Sequence, residues 1–126
     1  MAIETVEFPL DLTLELVEEL DLSVCLDTGH VLAGFPGWFD FFDLVEQVLP
    51  RLAEVHLHDC RKMPEGVRGY DEDHKPLGHG DLDLGRFLDR LAEAHYQGPL
   101  VFELKVDEAL ESMEAVRSIR PDYMKG

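Results

Sequence analysis

The chain has 126 residues, 45% of them hydrophobic, which suits one domain with a real core. Eleven Lys and Arg against 27 Asp and Glu leave a net charge of −16, which repels phosphate backbones and argues against a nucleic-acid partner. No stretch approaches the ~18 apolar residues of a membrane helix, and the start MAIETVEFPL lacks a signal-peptide pattern. The expectation is therefore a cytoplasmic protein without a membrane partner, its Cys25 and Cys60 reduced.

Short apolar strands alternate with amphipathic helices along the chain. Residues 2–6 (AIETV) read as the first strand. Residues 12–20 read as a helix, with Leu16, Val17 and Leu20 on one face and Glu15, Glu18 and Glu19 on the other. Residues 23–26 (SVCL) form the second strand, which runs into Asp27-Thr28-Gly29-His30. A Gly/Pro-rich loop, 33–37, leads to a helix over 38–49 with an aromatic start, and Pro50 lies just past its end. The third strand is expected over 54–58. The segment from Asp59 to about Asp81 is polar and rich in Gly and Pro, and loops of that length are usually functional or disordered. Asp83 is a good N-cap for a helix over 84–94. Residues 100–104 (LVFEL) read as the fourth strand, and 108–119 as a last helix with Leu110, Met113, Val116 and Ile119 inward.

Four strands alternating with helices imply an α/β fold of four βα units with parallel strands. Such units build either a small doubly wound sheet or half of a (β/α)8 barrel. Each strand carries an ionisable residue within it or at its C-terminal end: Glu4, Asp27, His56 and Glu103. A lone carboxylate in an apolar strand is expensive to bury; one per strand suggests a shared partner at one end of the sheet. In barrels that end is the active site. Three carboxylates and an imidazole suit Mn²⁺, Mg²⁺, Co²⁺ or Zn²⁺, and one divalent cation explains how the acids tolerate each other. His58 alternates with His56 on the same face, so either could be the ligand, and Glu54 could be an exposed start to its strand.

The stretches CLDTGH (25–30), VHLHD (55–59), DEDHKPLGHGDLD (71–83) and LVFEL (100–104), with AIETV at the start, resemble the xylose isomerase-like barrel superfamily. That superfamily includes sugar phosphate isomerases and epimerases, inosose dehydratase and endonuclease IV. The resemblance implies a single domain, 1–126, equivalent to the last four βα units of the barrel. It implies one divalent metal on Glu4, Asp27, His56 and Glu103, with His56 favoured over His58 because His56-Leu57-His58-Asp59 matches the family's His-apolar-x-Asp/Glu. It places His30, His58, Lys62 and His74 toward a carbohydrate substrate. It implies isomerase or epimerase chemistry, with Glu4 and Glu103 exchanging a proton beside a carbonyl through an enediolate. A dehydratase-type lyase and a non-catalytic metal-binding subunit are the alternatives. Two departures stand out. Gly78-His79-Gly80 replaces the family's usual Gly-Glu-Gly, and family members usually run about twice this length. A half barrel leaves sheet edges open, so a homodimer or a complementary half-barrel chain is expected.

Overall fold

The computed structural model describes residues 2–4, 10–70 and 72–121, of which 2–4, 10 and 11 are described by backbone alone. The elements are β1 (Ala2–Glu4), α1 (Leu10–Glu19), β2 (Ser23–Asp27), α2 (Thr28–Leu32), α3 (Phe41–Val48), β3 (Leu52–His56), α4 (Leu84–Glu93), β4 (Leu100–Val101) and α5 (Val106–Ile119). Residues 5 and 6 of the predicted first strand lie outside the described residues. All strand pairs are parallel, and the sheet order is β1-β2-β3-β4. Each strand lies beside the next in sequence with no reversal, so the sheet is an arc of a (β/α) barrel. A doubly wound sheet would reverse its order at a switch point.

Register sets which side chains share the inner face. Asp27 pairs with His56, and His56 with Val101. One row below, Glu4 pairs with Cys25 and Cys25 with Glu54. The other face of the sheet is the core: Val24, Leu26, Val55 and Leu57 are buried with Leu44, Val45 and Val48 of α3 and Phe87, Leu88 and Leu91 of α4. Apolar side chains alternate with polar ones along β2 and β3 because one face packs on helices while the other lines the barrel.

Three differences from the sequence reading shape the sheet and its ends. A short helix, α2, follows β2 directly, because Asp27 caps it: the His30 N–H donates to Asp27 Oδ1 at 2.9 Å. The third strand starts two residues early. Pro50 lies in the first positions of a 3₁₀ turn, Leu49–Arg51, where a missing N–H costs nothing, and that turn hands the chain to the sheet at Leu52. The fourth strand pairs only over Leu100–Val101, so Glu103 stands beyond its end.

The two outer helices also depart from expectation. Val17 is buried, but Leu12, Leu16 and Leu20 of the α1 segment are more than half exposed. On α5, Val116 is buried while Val106, Leu110 and Ile119 are exposed. The two helices follow the outer strands β1 and β4 in the chain, and apart from Val17 and Val116 these apolar residues are left uncovered. No helix among the described residues is long and apolar enough to cross a membrane.

Candidate metal centre and active site

The centre is built from the last residue of β2, the end of β3 and the segments that follow β3 and β4. Asp27 is the hub. Its Oδ1 caps α2 and also accepts from His58 Nε2 at 2.5 Å. Its Oδ2 faces His30 Nδ1 at 3.1 Å and His56 Nδ1 at 3.9 Å. Burial pushes the Asp27 carboxyl up, but the hydrogen bond from His58 and the electropositive rings of His58 and His30 outweigh it and hold the group below its ordinary value.

His58 is fully buried. Its Nδ1 accepts from the His74 N–H at 2.8 Å. That nitrogen therefore carries the lone pair, and Nε2 carries the proton given to Asp27. Thr28 fixes the backbone there: its hydroxyl donates to His58 O at 2.7 Å and accepts from the His58 N–H at 3.1 Å. Gly29 makes room for the ring, since a Cβ at that position would overlap His58 Nδ1 and Cε1. The His58 ring is stacked on His74, centroids 4.2 Å apart and planes 10° apart.

His56 is held differently. Its Nε2 meets Glu54 Oε1 at 2.7 Å, and its Nδ1 meets Glu103 Oε1 at 2.6 Å. Burial lowers the His56 pKa, but the Glu54 hydrogen bond and the charges of Glu103 and Asp27 more than reverse this, and the ring titrates above its ordinary value. At the rim, Asp73 Oδ2 lies between His74 Nδ1 (3.0 Å) and His30 Nε2 (3.3 Å). Burial dominates at His30 and lowers its pKa despite Asp27. His74 has a left-handed φ of +57°, uncommon for a non-glycine residue. Its Nε2 reaches Glu103 Oε2 at 3.5 Å.

The segment carrying His74 is pinned by Asp59, the residue after His58. Asp59 is fully buried. Its Oδ1 accepts from the N–H groups of Cys60 (2.8 Å) and Leu82 (3.0 Å), and its Oδ2 from Gly78 (2.9 Å). Its backbone exchanges hydrogen bonds with Lys75.

The family model for the xylose isomerase-like TIM barrel matches residues 2–121. The chain belongs to that family. An uncharacterized protein of Methanocaldococcus jannaschii is 29% identical over 109 residues, covering 82% of this chain and 34% of that protein. A xylose isomerase domain protein from Planctomyces limnophilus superposes with a TM-score of 0.77 at 23% identity, covering 94% of this chain and 44% of that one. A D-tagatose 3-epimerase-like protein gives a TM-score of 0.68 at 24% identity, with 91% and 41% covered. The chain thus spans a third to less than half of these relatives' lengths, and the sheet is part of a barrel.

For this xylose isomerase-like half barrel, the structure brings Asp27, His56 and Glu103 together. Glu4 ends β1 at the register of Cys25, and its side chain lies outside the described residues. The donor set fits a divalent cation. Bonds of ~2.1 Å place neighbouring ligand atoms roughly 3 Å apart, and the His56 Nδ1 distances to Glu103 and Asp27, 2.6 and 3.9 Å, bracket that spacing. Asp27, His58 and Glu103 also group within 4.8 Å. His58, however, offers no lone pair toward them, because its Nε2 proton goes to Asp27.

The expected substrate-facing residues divide. His30 and His74 are at the rim. His58 is instead sealed beneath His74, bracing Asp27. The Lys62 ammonium is tucked against Phe39 O at 2.5 Å, and partial burial lowers its pKa although the residue is exposed overall. It would have to leave that carbonyl to meet a substrate. His79, in place of the family's glutamate, pairs with Glu111 at 2.7 Å on an exposed surface. Sequence reasoning missed Asp73, Thr28, Gly29 and the loop-pinning work of Asp59. It left Glu54 as a possible surface residue, although its spacing from His56, two residues along a strand, puts both on one face.

Proposed function

We propose that the chain is the metal-holding half of a sugar or sugar-phosphate isomerase or epimerase. The metal ligands are Glu4, Asp27, His56 and Glu103. The observation that carries this reading is Glu103. Its carboxylate contacts the metal-ligand imidazole, is about one-third exposed (34%), and borders an open surface depression lined by His74, Phe102, Glu103, Leu104, Lys105 and Glu108. A carboxylate so placed reaches both the metal donor set and a small polar molecule.

When bound, a divalent cation supplies Lewis acidity that polarises a substrate carbonyl and stabilises an enediolate. Glu103 removes a proton from the carbon beside that carbonyl, and Glu4 returns one to the other face or to the neighbouring carbon. His74 and His30 orient hydroxyl groups at the rim. His58 and the α2 cap keep Asp27 ionised and aimed.

The missing wall comes from a second half-barrel, either another copy of this chain or a complementary one. The exposed apolar residues of α1 and α5 support this. A second reading, a metal-holding subunit with no turnover of its own, is favoured by Lys62, the expected basic contact to substrate, which is held against Phe39 O instead.

The test is deuterium incorporation from D₂O into a panel of ketoses and ketose phosphates, followed by NMR with Mn²⁺ present. Metal-dependent exchange that disappears in Glu103→Gln is the expected result. Exchange that persists in chelator sinks the mechanism. Metal binding without exchange on any member of the panel favours the subunit reading.

A further inference from the structure

Glu54 is the acidic residue of the inner face that the proton-transfer reading leaves without a role. It pairs in register with Cys25, one row below the row of Asp27 and His56. This sets it on the barrel side of β3, where a strand carboxylate needs a reason to be. Its side chain is 38% exposed and that of His56 17%, so the contact between them is partly shielded from water. Glu54 Oε1 lies 2.7 Å from His56 Nε2. The opposite nitrogen, Nδ1, is the one directed at Glu103 and Asp27.

We infer that Glu54 is a positioning residue: once a cation takes the Nδ1 side of His56, Glu54 holds the ring's proton on Nε2 and keeps Nδ1 aimed at the space between Asp27 and Glu103. Without a cation, Glu54 at 2.7 Å and Glu103 at 2.6 Å compete for the imidazole proton; a cation at Nδ1 leaves that proton to Glu54. Carboxylates that hold the far nitrogen of a ligand histidine fix its tautomer and orientation, and raise its basicity. Here ligand and orienting residue come from one strand, two residues apart, so the pleat itself sets their geometry. The inference rests on the metal reading above and adds the residue that prepares its only imidazole ligand. Cys25 supplies the rival arrangement: its sulfur, Glu54 and His56 also group within 4.8 Å, and a cation held there would take Nε2 as its ligand.

The experiment uses the full chain, stripped of metal and then loaded with Zn²⁺, with ¹⁵N-labelled histidine. The His56 signals are assigned by their loss in His56→Gln. Long-range ¹H–¹⁵N correlation reads which nitrogen is metal-bound, and calorimetry with Zn²⁺ reads affinity in the wild type, Glu54→Gln and Glu54→Ala. The expected result is a ring that keeps its proton on Nε2 and binds Zn²⁺ through Nδ1 in the wild type. Zn²⁺ affinity falls about 10–100-fold in Glu54→Ala, and most of it returns in Glu54→Gln, whose amide oxygen still accepts from Nε2. A wild-type His56 that binds Zn²⁺ through Nε2 overturns the inference, as does a Glu54→Ala affinity within twofold of wild type. A thiolate charge-transfer band with Co²⁺ overturns it in favour of the Cys25 arrangement. If the wild type binds no Zn²⁺, the metal reading falls and the inference with it; Zn²⁺ binding that Glu54→Ala leaves unchanged overturns the inference alone.

Discussion

Replacing Gly29 by alanine tests the architecture of the centre at its tightest point. The added Cβ overlaps two atoms of the His58 imidazole, and that ring is fully buried with a nitrogen bonded to Asp27 at 2.5 Å. The ring cannot tilt without giving up Asp27 on one side or the His74 N–H on the other. Overpacking of this kind costs about 1–3 kcal/mol, and a lost hydrogen bond to a buried charged group about 1.5–3 kcal/mol. Gly29→Ala should therefore destabilise the chain by about 3–5 kcal/mol in urea unfolding and weaken metal binding, because Asp27 loses its brace. Gly85 is the matched control. It also lies in a helix, but nothing stands within 4 Å of its would-be Cβ, so Gly85→Ala should stabilise by about 0.5–1 kcal/mol through helix propensity. A Gly29→Ala protein within about 1 kcal/mol of wild type, with unchanged metal affinity, would refute the role given to His58.

Other consequences follow from the same contacts. Asp59→Asn removes the charge that three backbone N–H groups share; about 2–4 kcal/mol of stability should go, and limited proteolysis should cut faster between residues 61 and 81. Burial, reinforced by Asp73 and Glu72, pushes the Cys60 thiol from 9.0 up to about 12. A raised pKa stabilises the fold below the unfolded value and loses that contribution as pH climbs through the folded one, so stability should fall between pH 9 and 12 and fall less steeply in Cys60→Ala. The exposed apolar residues through which two copies would meet lie on α1 and α5, and acidic residues far outnumber basic ones on both. Self-association measured by sedimentation should therefore tighten as salt rises past ~0.1 M; association that weakens with salt argues for a partner of opposite charge.

The barrel arc was legible because parallel strands covered on one face by helices announce themselves as short apolar runs between amphipathic helices. The end of each strand was legible too, since a charged side chain at the C-terminal end of an apolar run has few reasons to be there; Asp27, His56 and Glu103 come together as that logic requires. Division of labour between His56 and His58 was not legible from alternation alone. It depends on which nitrogen meets which partner, and those partners, Glu54, Asp27 and the His74 backbone, arrive from three parts of the chain. Asp73 was hidden for a related reason: it sits in an irregular loop whose path is set by the buried carboxylate of Asp59. The inward faces assigned to α1 and α5 failed on Leu16, Leu20, Leu110 and Ile119. Helical period identifies an apolar stripe but not what covers it, and here only Val17 and Val116 of those stripes reach the core.

The proposed chemistry requires that Asp27, His56 and Glu103 hold a divalent cation. Titration calorimetry of the chelator-stripped chain with Mn²⁺ tests it most directly. The account predicts one site per chain. In Asp27→Asn and His56→Gln the affinity should fall by more than the ~10–100-fold typical of losing an outer-shell partner, while His79→Gln should bind as the wild type does. A wild-type chain that takes up no Mn²⁺, or one whose affinity is indifferent to Asp27 and His56, would contradict it.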